Sequence, residues 1–244
     1  MPRKKLGILL CCLIGTCVLI SCVAAPQPVR GGAATAVQAP SVSWKATYSG
    51  LAQSGGKVYQ LDPKQSAIRI FAFRGGRAAK VGHNHVLSAP SFTGFAFVAS
   101  SGVAESRFDI EFRLDQLEID NPEYRGALGA AFASFLSKEA IDGTREHMLG
   151  EDNFQADRFP YVQVHGLQLS GEAPKLAAKV QFELHGQQRE VWVPLTAEFL
   201  PDRIVVSGSF ILRQSDFGVH PYTVLGGLLA VQDEVVVEFK LTGI

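Results

Sequence analysis

The residues best suited to chemistry in this chain are two histidines in the run Gly82-His83-Asn84-His85-Val86. In an extended segment, side chains two apart share a side. His83 and His85 could therefore begin a metal site, with His165, His185 or His220 as a distant third ligand. A zinc site needs three or four donors converging at about 2.0–2.1 Å, and one His-x-His in a glycine-bounded loop supplies only two. The other reading makes them rim histidines that bond backbone carbonyls or touch the head of a ligand.

Three further groups invite chemistry less strongly. Ser215-Asp216 lies in the run Gln214 to Gly218. A hydrolase would need a base beside Ser215 and an oxyanion hole, and no Gly-x-Ser-x-Gly turn occurs in the sequence. A strand end fits the run better, with Ser215 and Asp216 bonding backbone and Phe217 capping a barrel. Asp109, Glu111, Asp115 and Glu118 are close in sequence, and paired carboxylates can do acid–base work. Alternation puts Asp109 and Glu111 on the polar face of a strand, as solvated surface. Arg69, Arg74, Arg77, Lys80, Arg125 and Arg145 could line a mouth that receives a lipid phosphate, or be scattered surface charge. No enzyme is expected from these groups, and no cofactor.

The elements that position these residues have a period of two. Phe108, Ile110, Phe112 and Leu114 alternate with Asp109, Glu111 and Arg113. Val180, Phe182 and Leu184 alternate with Lys179, Gln181 and Glu183, and Val235, Val237, Phe239 and Leu241 share one side of a third segment. Such alternation marks antiparallel strands with one buried and one wet face. Further strands are expected at 57–61, 66–73, 92–99, 161–169, 190–199 and 203–213, with turns at Asp62-Pro63, Ser101-Gly102, Gly171, Gly186 and Pro201-Asp202. About nine strands suggest a closed barrel or a sandwich. Residues 134–149 read as a helix, capped by Ser134 or Ser137 and stopped by Gly150. Residues 121–133 read as loop or a second short helix. The inward set is then Phe108, Ile110, Phe112, Val180, Phe182, Val191, Val193, Leu195, Phe210 and Leu212. Periodicity places these inside without showing whether they meet or leave a hollow.

The N-terminus is a targeting segment. Arg3, Lys4 and Lys5 precede an apolar run from Leu6 to Ile20 of about 15 residues, short for a membrane span and suited to a signal peptide. Leu19-Ile20-Ser21-Cys22 resembles the bacterial lipobox, which implies removal of residues 1–21 and acylation of Cys22. Val23 is not Asp, which by the same resemblance favours the outer membrane. Several acyl chains together make a stable anchor. Residues 22–56 are rich in Ala, Pro, Gly and Ser and read as a flexible tether of roughly 30 Å root-mean-square reach. The remaining cysteines, Cys11, Cys12 and Cys17, lie within the signal segment. The domain at 57–244 therefore has no disulfide and no cysteine ligand. A formal net charge of zero gives no case for nucleic acid as a partner.

Several pieces, taken in order, resemble the YceI-like family. They are Tyr59-Gln60-Leu61-Asp62-Pro63 with Ser66, Phe92-x-Gly94, Asp152-Asn153-Phe154 with Phe159-Pro160, and Leu184-His185-Gly186 with the strand from Glu190. The C-terminal run Gln214 to Val219, then Gly226-Gly227 and Val231 to Val235, completes the set. The link Arg74 to Leu87 is longer than in many members. The resemblance implies an all-β fold: a single antiparallel lipocalin-like β-barrel with a short helical insertion and an apolar tunnel. The ligand it implies is an amphipathic lipid, polyisoprenoid or fatty-acid-like, bound without catalysis at the cell envelope. The expected ligand-binding residues are Phe108, Ile110, Phe112, Val180, Phe182, Val193, Phe210 and Phe217, with His83 and His85 at the rim. Two alternatives stay open. One is a metal-dependent protein built on His83 and His85, and the other is an envelope protein with a solid core.

Overall fold

The structure is a computed structural model and describes residues 44–244. The signal segment, Cys22 and the tether up to residue 43 lie outside the described residues. The order is α1 (Trp44–Leu51), β1 (Gly56–Gln60), β2 (Ala67–Gly75), β3 (His85–Ser88), β4 (Thr93–Ala99), β5 (Arg107–Arg113) and β6 (Glu118–Ile119). Then follow α2 (Pro122–Ala127), α3 (Lys138–Leu149), β7 (Tyr161–Glu172), β8 (Lys175–Leu184), β9 (Gln187–Phe199), β10 (Ile204–Arg213), β11 (Thr223–Val224) and β12 (Leu229–Gly243).

The strands form one antiparallel sheet in the order β1-β4-β5-β7-β8-β9-β10-β12-β2-β3-β6, with β11 on β12. The sheet curls until its β1 edge reaches the C-terminal end of β12. Leu61, just past β1, pairs with Gly243, and Gln60 and Ile244 exchange two N–H···O bonds of 2.9 Å. Closure satisfies backbone groups that an open edge would leave bare. The fold is therefore the expected antiparallel all-β barrel with a helical insertion.

Local chemistry explains the connections. His185 and Gly186 both have positive φ, 52° and 68°, and they join Leu184 to its partner Gln187. This is the two-residue hairpin whose twist matches the strands. Asn121 caps α2 by accepting from the Glu123 N–H, with Pro122 in the first turn. Ser137 caps α3 by accepting from the Ala140 N–H, so the insertion helix starts at Lys138 and not at Ser134. The link after Arg74 is shorter than read from sequence, because its last residues form β3 and add to β2 in register Ala72↔His85.

Two expectations are corrected here. Residues 44–51, read as tether, form α1. Trp44, Tyr48 and Leu51 recur at helical spacing and pack on Phe95 and Phe97 of β4. The Tyr48 ring stacks on Phe95 at 5.4 Å. Asp109 and Glu111, read as solvated surface, are engaged. Tyr48 donates its O–H to Asp109 at 2.7 Å, and His165 Nδ1 lies 2.6 Å from the other Asp109 oxygen. Glu111 is 7% exposed and accepts from Gln163. The cause is register, because β7 sets His165 against Asp109 and Gln163 against Glu111. Burial, and then the Asp109 carboxylate, push the Tyr48 phenol well above its usual range.

Candidate functional site

The inward faces of the strands enclose a void. Apolar side chains line nearly all of a cavity of about 580 Å³, within the usual size of ligand sites. The core divides into two buried clusters, one around Ile110, Phe112 and Leu241 and one around Val180, Phe182 and Val193. Phe108, Val164, Phe210, Leu212 and Phe239 pack against both clusters yet are only partly buried. An inward side chain in a solid core would be fully covered. These five stay accessible because they face empty space, so the solid-core alternative does not hold.

From β5, Phe108, Ile110 and Phe112 line the cavity; from β8 come Val180 and Phe182, from β9 Val193, and from β10 Phe210. Phe217, after β10, also lines it and is 1% exposed. The ring of Phe108 reaches the lumen past Gly166, where a Cβ would sit 2.5 Å from the ring. Phe210 lies 5.2 Å from Phe182 and 6.2 Å from Phe239 between ring centres, an aromatic band across the wall.

The two rim histidines part company. His85 begins β3 and lines the cavity. Its Nδ1 lies 2.6 Å from Asp120 Oδ2. His83 precedes the strand and is exposed, with Nδ1 3.1 Å from Ser134 Oγ. Desolvation, then the neighbouring His85, Arg125 and Arg74, hold the His83 imidazole below its ordinary value. The proposed third ligands are scattered. His165 is held on the outer face by Asp109, His185 sits in the β8–β9 turn beside the Phe217 carbonyl, and the His220 carbonyl accepts from Asn153. Among the described residues, no three His, Cys, Asp or Glu side chains are grouped to hold a metal ion. The metal reading on His83 and His85 fails because the strand starts between them and turns them to different surroundings.

The arginines do not gather at a mouth. Arg69 stacks over Tyr124, Arg74 donates to the Gly82 carbonyl, and Arg145 donates to the Asp115 and Leu117 carbonyls. Arg125 is buried and bonds Asp120 Oδ1 at 2.6 Å. Burial raises the Asp120 pKa, but hydrogen bonds from His85, the Val86 N–H and Arg125 outweigh it and hold the carboxyl below its usual range. Ser215 donates both its N–H and its Oγ to the Asp233 carboxylate, which closes the end of β10 on β12.

One end of the cavity is covered by α3, which contributes Gly143, Thr144 and His147, and by Tyr222. Tyr222 stacks on His147 at 4.5 Å with its oxygen 3.3 Å from Nε2. The helical insertion was expected to cover one end of the barrel, whereas Tyr222 in that cover and Asp120 as the partner of Arg125 were not foreseen. The capping pattern of α2 was the nearest hint, since it brings Arg125 back over Asp120.

A family model for the YceI-like domain matches residues 59–243. The chain belongs to the YceI-like family. Among solved structures, BcnA of Burkholderia cenocepacia is 14% identical with a TM-score of 0.56, covering 75% of this chain and 99% of that one. That likeness supports the barrel fold. A Campylobacter jejuni YceI protein is 10% identical with a TM-score of 0.46, covering 65% and 84%. No curated protein matches the chain. The match in fold agrees with the closed antiparallel barrel described above, and the hollow is a property of this YceI-like chain's own side chains.

Proposed function

We propose that this YceI-like domain binds the chain of an amphipathic lipid, polyisoprenoid or fatty-acid-like, lengthwise in its tunnel and without chemistry. The observation that carries the reading is the set of inward side chains, Phe210 and Phe239 among them, left partly accessible around an apolar void of about 580 Å³. Burying ten methylenes is worth about 8 kcal/mol at roughly 0.8 kcal/mol each. Association costs at least ~4 kcal/mol, so long chains are retained and short ones are not.

The test is native mass spectrometry of gently purified protein, followed by lipid extraction. A co-purifying chain of ten or more carbons is expected. Protein that is consistently empty, and that takes up no aliphatic chain when offered one, overturns the reading.

We further propose that the domain faces the periplasm, tethered to the outer membrane by acyl groups on Cys22. The basic start, the apolar run and Ser21-Cys22 support this. Labelled palmitate should be incorporated into the protein and lost in Cys22→Ala. Equal labelling of the two would rule the anchor out.

A further inference from the structure

We propose that His85 anchors the head of the bound chain through Nε2, and that the head it selects carries an uncharged O–H group, an alcohol or a protonated acid. This rests on the lipid-binding reading and deepens it.

Three observations lead there. First, His85 is a polar break in a greasy wall, and its side chain is 17% exposed. Of the other ionisable groups on that wall, His147 is taken by Tyr222 and Arg213 by Glu234, while Arg107, the first residue of β5, is exposed. Second, Nδ1 is fixed on Asp120, and His85 has no other hydrogen-bond partner among the described residues. The remaining nitrogen therefore faces the lumen. A carboxylate on Nδ1 sets the tautomer, with the proton on Nδ1 and a lone pair on Nε2. Third, the Asp120 charge is already met. Its Oδ1 takes Arg125 at 2.6 Å and the Val86 N–H at 3.0 Å. With a neutral imidazole the trio carries no net charge, so it offers an acceptor and not a cationic cradle. An O–H donor satisfies Nε2, whereas a bare hydrocarbon leaves it unpaired.

Asp120 and Arg125 are then positioning residues. Arg125 also donates to the Asn84 carbonyl, the Ser134 carbonyl and Ser134 Oγ. This ties β3 to the segment after α2 without using His85. The fastening runs through Oδ1 and Arg125, and Oδ2 is left to accept from His85 Nδ1–H.

The experiment compares 1-tetradecanol with tetradecane as competitors of a fluorescent fatty-chain probe on the full chain. The alcohol is expected to bind about fivefold to tenfold more tightly, the value of one hydrogen bond. His85→Phe should erase the difference while the alkane still binds, and His83→Ala should keep it. Nitrogen NMR of the imidazoles gives a reading that needs no variant: the His85 Nε2 resonance should move with the alcohol and not with the alkane. Equal affinities in the wild type, or an alcohol preference that survives His85→Phe, overturn the assignment. If neither probe binds, the tunnel reading itself falls and this inference with it.

Discussion

Val164 stands on β7 where the two buried clusters meet, paired with Ile110 on one side and Phe182 on the other. It lines the cavity and is only partly buried. Replacing it by phenylalanine adds about four carbon atoms, which would occupy the space of about four methylenes of a threaded chain. At roughly 0.8 kcal/mol each this costs about 3 kcal/mol, or about 200-fold in affinity. The assay is competition against a fluorescent fatty-chain probe, run with chains of ten, sixteen and twenty carbons. The longest should lose most, because they must pass the obstruction, and the ten-carbon chain should lose least. Stability supplies the control. A ring placed in a void does not lower Tm, and cavity filling commonly adds 0.5–2 kcal/mol. Unchanged affinity at every length would refute the tunnel. So would a fall in stability of about 1–3 kcal/mol, the mark of overpacking, because it would mean that the space beside Val164 is already full.

Other outcomes follow from particular contacts. Gly166→Ala forces a methyl against the Phe108 ring, so Tm should fall by several degrees in a thermal melt, in keeping with about 1–3 kcal/mol of strain. Tyr48→Phe removes the donor to Asp109 and should cost about 2 kcal/mol; limited proteolysis should then cut within residues 44–55 first. Asp120 is held below its ordinary value of 3.8. Its contribution to stability is therefore complete above that pH and fades as pH falls towards the lower folded value. Asp120→Asn should flatten this acid limb in denaturant titrations run from pH 5 to pH 2, and an unaltered limb would show that the carboxyl titrates alike in both states. Elemental analysis after chelator-free purification should give less than about a tenth of an equivalent of bound metal, since zinc requires three or four converging donors.

Strand alternation made much of the barrel legible. Phe108-Asp109-Ile110-Glu111-Phe112 shows which side is inward because the period of the sheet is two. Inwardness says nothing about distance across the barrel, so the hollow had to come from Phe210 and Phe239 remaining accessible. The polar side was harder to read. Asp109 and Glu111 alternate like surface residues, and only the register of β7 decides that His165 and Gln163 stand opposite them. Tyr48 was hidden by its surroundings, because a short helix among Ala, Gly and Ser has little pattern of its own and is stabilised by the strand it covers. His83 and His85 were read as one feature because both were given strand geometry, whereas the strand begins at His85.

The seam between residues 60–62 and 242–244 joins segments at opposite ends of the domain's sequence. A ring stitched in this way has no lumen until its last strand has been synthesised, and so distant a closure makes assembly slow. On the lipid-binding reading proposed above, a growing chain offers no lumen to fill, and loading follows folding.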